Sequence, residues 1–418
     1  MVNDVTVDSG QPGASKGDTV TVRGGAAADN PTYTPGVPFA GTLALNAGET
    51  LNLTNTENLV YHGEAQDETL TVNGSGTFVH TPGSDLDAGD IAINNGSDVL
   101  LGISYIHLGL GGSLVLNGLG GDDTLIANGT GSDDAFDVNA TTGNVDLART
   151  AGNHLELQPT GIENLVLDGL GGNDDMVVNL PQPYSMITAR GGGPGNSDVL
   201  TINHEAGALD TFFVSPSATP GEGNVIAGFA SVDYIGVEHL QLIGSSVDED
   251  TLSVFEAGGD ELWTVTSGPN IGGGTTDRIQ IEGRESIDYQ TFDTVDLNNF
   301  TGDDIFRIHP TTLSNFVTQF TVLGDLDDTL ELVGTNNNDT FTQTAPTQFT
   351  TNGVAIDFGG GSISTIRLLG DDGDDSFTVD LSTLDAGVQR VVVDGGLPTA
   401  SDVVNLTVTA AGVVTQGA

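Results

Sequence analysis

The chain has 418 residues, a formal net charge of −49 from 58 acidic and 9 basic side chains, and no cysteine. So few basic groups exclude nucleic acid and anionic membrane surfaces as partners, because both are gripped through basic patches. The missing thiols exclude disulfides, zinc-thiolate centres and cysteine nucleophiles, and no apolar run approaches the ~18 residues of a membrane-inserted span.

Charged residues make up 16% of the chain and hydrophobic ones 37%, the latter in short patterned runs that a disordered acidic tail lacks. The opening Met1-Val-Asn-Asp-Val5 has no basic or apolar signal region, and the final residues stop inside a strand-like pattern, so both ends read as cuts. Residues 1–114 form divergent repeats in which Glu57-Asn-Leu-Val60 and Asp67-Glu-Thr-Leu-Thr-Val72 are recognisable. Clearer copies follow. Asp134-Ala-Phe136, Asp210-Thr-Phe212 and Asp339-Thr-Phe341 each open a stretch that runs through a Gly or Asn turn, an apolar run, an acidic turn and another apolar run. Landmarks recur at about 75 residues, which divides the chain into super-repeats 115–190 and 191–272, a shortened repeat 273–322, a super-repeat 323–392 and a truncated copy 393–418.

Within each copy the predicted strands are short. Leu125-Ile-Ala127, Leu165-Val-Leu167, Met176-Val-Val178, Val199-Leu-Thr-Ile202 and Leu240-Gln-Leu-Ile243 are separated by Gly, Asn, Asp and Thr turns. Sixty glycines and the lack of a 3.6-residue apolar period argue against helix. The expected fold is all-β: one continuous, elongated, right-handed parallel β-helix or solenoid, its narrow core filled by Val, Leu and Ile. The alternative is a row of tandem β-sandwich domains.

The acidic turns carry the chemistry. Gly118, Gly121, Asp123 and Leu125 set a spacing repeated at Gly129, Ser132, Asp134 and Phe136. It recurs at Gly169, Gly172, Asp174 and Met176, at Gly334, Asn337, Asp339 and Phe341, and at Gly370, Gly373, Asp375 and Phe377. A partial copy is Gly302, Asp304, Phe306, and looser ones surround Asp250 and Asp328. Glycines let backbone carbonyls turn toward one point and Asp adds a hard carboxylate oxygen, the donor set Ca²⁺ takes at about 2.3–2.6 Å. The candidate ligands are Asp122, Asp123, Asp133, Asp134, Asp174, Asp175, Asp303, Asp304, Asp327, Asp328, Asp339, Asp374 and Asp375.

This pattern resembles the hemolysin-type (RTX) calcium-binding repeat, Gly-Gly-x-Gly-x-Asp-x-Leu-x. The resemblance implies a parallel β-roll with calcium held between Gly-rich turns, and its matching positions are Gly118, Gly121 and Asp123, Gly169, Gly172 and Asp174, and Gly370, Gly373 and Asp375. The family's second glycine is Leu119, Leu170 and Asp371 here, and its nine-residue tandem period is absent. At larger scale the chain resembles the repetitive segments of large secreted bacterial surface proteins.

Catalysis finds little support. Arg278 and Arg284, beside Glu282 and Glu285 and near Tyr289 and His309, are the one close pair of arginines, and they read as a local salt-bridge set. The seven histidines show no metal-ligand spacing and read as turn or face residues. The 58 carboxylates recur regularly, whereas catalytic acid pairs are unique. The expectation is a non-enzymatic, calcium-stabilised structural or adhesive module, secreted or displayed at a cell surface. Its partners would be itself or neighbouring repeats stacked end to end, and carbohydrate. A carbohydrate-binding or polysaccharide-degrading β-helix is the alternative.

Overall fold

The strands divide between two long mixed sheets, one of 20 strands. The structure, a computed structural model, describes residues 4–10, 17–25, 27–45, 48–64, 67–149, 152–193, 197–204, 211–228, 230–245, 247, 249–256, 258–269, 275–313, 317–396 and 401–408. Among these the only helical element is one 3-10 turn, Pro310–Thr312, and no helix is long and apolar enough to cross a membrane. Two compact units are present: Met1–Asn203 with Phe229–Val237, and His204–Gly228 with Glu238–Ala418.

In the first unit the chain alternates between the sheets. Ser113–Gly118 lies in one, Thr124–Asn128 in the other, and Asp134–Val138 back in the first. Ser113–Gly118 and Thr124–Asn128 each pair in parallel with a strand before and a strand after, and Asp134–Val138 pairs in parallel with the later Asp175–Leu180. Leu125 stands in register with Phe78 on one side and Leu165 on the other, and Leu165 with Ile187. The alternation in Thr124–Asn128 explains this: Leu125 and Ala127 point inward, while Thr124, Ile126 and Asn128 stay partly exposed. Stacking like residues from strand to strand makes continuous apolar columns, each buried aliphatic or aromatic side chain contributing about 1.5–3 kcal/mol.

The second unit repeats the arrangement. One column runs Phe212, Leu252, Val295, Phe320, Ile356. In the opposite sheet another runs Trp263, Phe306, Leu330, Ile366. All nine side chains are fully buried.

Antiparallel hairpins interrupt the parallel stacking. Thr32–Pro35 with Gly41–Ala44, Thr77–Pro82 with Gly89–Asn94, and Asp134–Val138 with Val145–Arg149 lie in the first unit. Thr211–Pro216 with Glu222–Ala227, Leu262–Ser267 with Asp277–Ile281, and Thr340–Ala345 with Gln348–Thr351 lie in the second. The stretches opened by Asp134 and Asp339 therefore begin at hairpins, as does the described part of the third, from Thr211 on; Asp210 itself lies outside the described residues.

The core departs from the expected Val, Leu and Ile filling. Trp263 and all six tyrosines are buried. Several hydroxyls find partners inside, Tyr184 donating to Gly143 O (2.6 Å), Tyr61 to Glu68 Oε2 (2.6 Å) and Tyr105 meeting His80 Nε2 at 2.8 Å, whereas the Tyr289 hydroxyl and Trp263 Nε1 are buried without one. His80 and His154 are likewise buried rather than on a turn or face.

Candidate functional site: the aspartate corners

Where the chain passes from one sheet to the other, a corner with one shared element recurs. A glycine ends one strand, and an aspartate four to seven residues on opens the next, its carboxylate folded back over that glycine. The pairs are Gly118/Asp123, Gly129/Asp134, Gly169/Asp174, Gly191/Asp198, Gly244/Asp250, Gly324/Asp328, Gly334/Asp339, Gly370/Asp375 and Gly395/Asp402. A Cβ on Gly334 would stand 2.6 Å from Asp339 Oδ2 and 2.5 Å from Gly370 O, so only glycine fits beneath the carboxylate.

The corners are linked. Asp134 N–H donates to Asp174 Oδ1, and Asp174 N–H to Asp198 Oδ1, each at 2.8 Å. In the second unit Glu261 N–H donates to Asp304 Oδ1 and Asp304 N–H to Asp328 Oδ1, both at 2.8 Å. Further along, Asp339 N–H donates to Asp375 Oδ1 (2.8 Å) and Asp375 N–H to Asp402 Oδ1 (3.0 Å). Side-chain oxygens thus satisfy backbone donors where the ladder of the strands stops.

Two kinds of corner are distinguishable. In the first, a threonine follows the glycine. Thr130 donates to Asp134 Oδ2 through N–H (2.6 Å) and Oγ1 (2.8 Å), and Thr335 to Asp339 Oδ2 likewise (2.5 and 3.1 Å). Asp328 Oδ2 similarly accepts Asp325 N–H at 2.6 Å. In the second kind, a glycine with positive φ stands two residues before the aspartate: Gly121 (109°), Gly172 (136°), Gly302 (126°) and Gly373 (146°). There Oδ2 of Asp123, Asp174, Asp304 and Asp375 is buried with no hydrogen-bond partner. An unpartnered buried oxygen is costly for an anion. Burial, first, and neighbouring carboxylates, second, raise Asp174 and Asp304 to about 7, and Asp375 is raised for the same reasons. Burial also lifts Asp328 to about 6.

The predicted ligands therefore fall into two rows. Asp123, Asp134, Asp174, Asp304, Asp328, Asp339 and Asp375 are buried in the corners. Asp122, Asp133, Asp175, Asp303, Asp327 and Asp374 are exposed beside them. The exposed row has its own links: Asn173 N–H to Asp133 Oδ1 (2.8 Å) and Asp303 N–H to Asp260 Oδ1 (3.0 Å). A depression of about 440 Å³ is lined by Asp133, Asp134, Asn173, Asp175 and Ser197. Among the described residues no three acidic or histidine side chains gather around one point.

Sequence reasoning passed over Asp198 and Asp402 as corner residues because their glycines lie seven positions back rather than five. It also passed over buried Glu331, which accepts from Arg307 Nε (2.7 Å) and from Arg367 Nη1. Arg278 and Arg284 are paired as expected, Arg278 to buried Asp288 through Nε (2.6 Å) and Nη2 (2.8 Å), Arg284 to Glu256. Comparison with family models, with curated proteins and with solved structures finds no match to this chain.

Proposed function

We propose that the chain is a calcium-stabilised structural module, a right-handed two-sheeted parallel β-solenoid that serves a secreted or cell-surface protein as a spacer or adhesive repeat. The strand alternation between two sheets, with parallel neighbours in register, supports the solenoid reading. An aspartate folded over a glycine at nine corners among the described residues suits a scaffold, since chemistry on a substrate needs one site and not nine. End-to-end stacking on a second copy, or on neighbouring repeats of a longer chain, is the partner this reading assigns.

The observation that carries the calcium assignment is the unpartnered Oδ2 at Asp123, Asp174, Asp304 and Asp375. Those four corners are the ones with the positive-φ glycine, and three of them match the RTX-like spacing. A divalent cation supplies the partner that each buried oxygen lacks, with backbone carbonyls and water completing its shell. At Asp134, Asp328 and Asp339 that oxygen is already taken by backbone or hydroxyl donors, although Asp134 keeps its Oδ1 buried without a partner.

The test is thermal unfolding by circular dichroism, with Ca²⁺ titrated into exhaustively chelated protein. A midpoint that rises with Ca²⁺ but not with Mg²⁺ at equal ionic strength, and rises less in Asp174→Asn and Asp375→Asn than in Asp134→Asn, is the expected result. An unchanged midpoint would leave the corners as plain aspartate-capped turns and remove the metal from this reading.

A further inference from the structure

A second feature lies away from the corners. In the unit formed by His204–Gly228 and Glu238–Ala418, a depression of about 360 Å³ is lined by Glu238, His239, Arg278, Gln280, Arg284 and Glu285, with Ser286 at its base. Its floor is the outer face of the antiparallel strands Asp277–Ile281 and Ser286–Gln290, and the tip Pro220–Gly221 of another hairpin closes one side. Gly221 N–H donates to Glu285 Oε2 at 2.9 Å and fixes that tip in place.

Both guanidiniums are held rigidly from behind. Asp288, 1% exposed, takes Nε and Nη2 of Arg278, and Glu256, 6% exposed, takes Nε and Nη2 of Arg284. Nη1 of Arg278 takes no part in its pair. The His239 ring is fixed through Nδ1, 2.9 Å from Ser286 Oγ, which leaves Nε2 for another partner. Gln280 spends its amide nitrogen on Ile281 O (3.0 Å) and Arg284 O (2.9 Å), which presents its carbonyl oxygen as an acceptor. The wall therefore offers donors and acceptors side by side on planar, preorganised groups.

The charge balance selects the ligand class. Asp288 and Glu256 neutralise the two arginines, and Glu238 and Glu285 add negative charge, so an anion is repelled. A cavity of this size with alternating donors and acceptors suits an uncharged polyol ring, whose adjacent hydroxyls both give and accept hydrogen bonds. We propose that this depression binds a neutral sugar of one or two rings. The site is independent of the calcium reading, since none of its residues belongs to a corner.

The probes are glucose, galactose, mannose, N-acetylglucosamine and their β-linked dimers, with glucuronate as the charged control. Binding would be read by saturation-transfer NMR and calorimetry, in chelator and in Ca²⁺. At least one neutral sugar should bind saturably, with glucuronate at least tenfold weaker. Arg278→Lys keeps the charge opposite Asp288 but loses the planar edge and the two-point pair with that buried carboxylate, so it should weaken binding at least tenfold and lower the melting midpoint; His239→Ala removes the ring and should weaken binding at least tenfold at an unchanged midpoint. If Arg278→Lys does not fold, His239→Ala alone decides. The proposal is overturned if no neutral sugar binds, if glucuronate binds best, or if His239→Ala binds as the parent chain does. Asp174→Asn should leave sugar binding intact, which separates this outcome from failure of the calcium assignment.

Discussion

Each corner glycine does two jobs that no other residue combines: it ends a strand, and it leaves the volume the following aspartate fills. Gly334→Ala would force its Cβ against both Asp339 Oδ2 and Gly370 O, and should cost about 2–4 kcal/mol in chemical denaturation. Gly131→Ala is the control. It has no atom within 4 Å of the added Cβ, is exposed, and should change stability by less than about 0.5 kcal/mol. Equal effects in the two variants would mean that the carboxylate does not occupy the corner.

A second residue-scale consequence concerns His80. Burial, and after it the neighbouring His154, hold its imidazole down to about 3 from the ordinary 6.5. The fold thus prefers the neutral ring. Its contribution to stability is complete above the unfolded value and drains away as pH falls below about 6.5 toward 3. His80→Gln preserves a partner for Tyr105 without titrating. The melting midpoint of the parent chain should therefore fall faster than that of the variant between about pH 7 and pH 4. Parallel curves would show that His80 does not stay neutral in the fold.

At the scale of elements, strands and turns were legible and connections were not. The runs at Leu125, Leu165, Met176, Val199 and Leu240 all lie in strands. What the sequence concealed is which strand continues the stack and which begins a hairpin. Both kinds have the same two-residue period and the same Gly and Asn punctuation, so nothing local separates them. The two kinds of corner were visible as Gly121, Gly172 and Gly373 against Ser132 and Asn337. Their meaning was hidden because the hydrogen-bond partner lies 24, 36 or 40 residues away, depending on whether a hairpin intervenes. Buried Glu331 was hidden similarly, since Arg307 and Arg367 reach it from the strands on either side. Removing Glu331 frees two arginines that can turn into water, and Glu331→Ala should cost about 1–2 kcal/mol. Removing both arginines strands a buried carboxylate, and the double variant Arg307→Ala, Arg367→Ala should cost about 3 kcal/mol or more. The reverse order in urea unfolding would contradict the burial of this carboxylate.

For the molecule as a whole, the charge of −49 sets the conditions under which these interactions suffice. Mutual repulsion of carboxylates works against compaction and is weakened by mobile ions. In chelator, raising sodium chloride from about 10 mM to about 0.5 M should raise the melting midpoint, and saturating Ca²⁺ should shrink that gain. A midpoint indifferent to salt would place the acidic side chains too far apart to repel. That the chain is all-β with two long mixed sheets was legible at this scale only in its first half, since glycine content and short apolar runs report strand but not how strands join. Parallel neighbours stand about 22–47 residues apart, as Leu165 to Ile187 and Thr77 to Thr124 illustrate, an interval set by whether a hairpin lies between them.

The chain of corner hydrogen bonds has a direction. Along the buried row the amide comes from the earlier residue and the carboxylate from the later one, as in Asp123 to Glu163, Asp134 to Asp174, Glu261 to Asp304 and Asp339 to Asp375, whereas the exposed links Asn173 to Asp133 and Asp303 to Asp260 run the other way. A polypeptide emerges from its ribosome, or from a secretion pore that passes the amino end first, in that same order. Were folding to keep pace with delivery, each buried corner would hold an open amide until its acceptor arrived, and the buried row would close one way like a zip fastener.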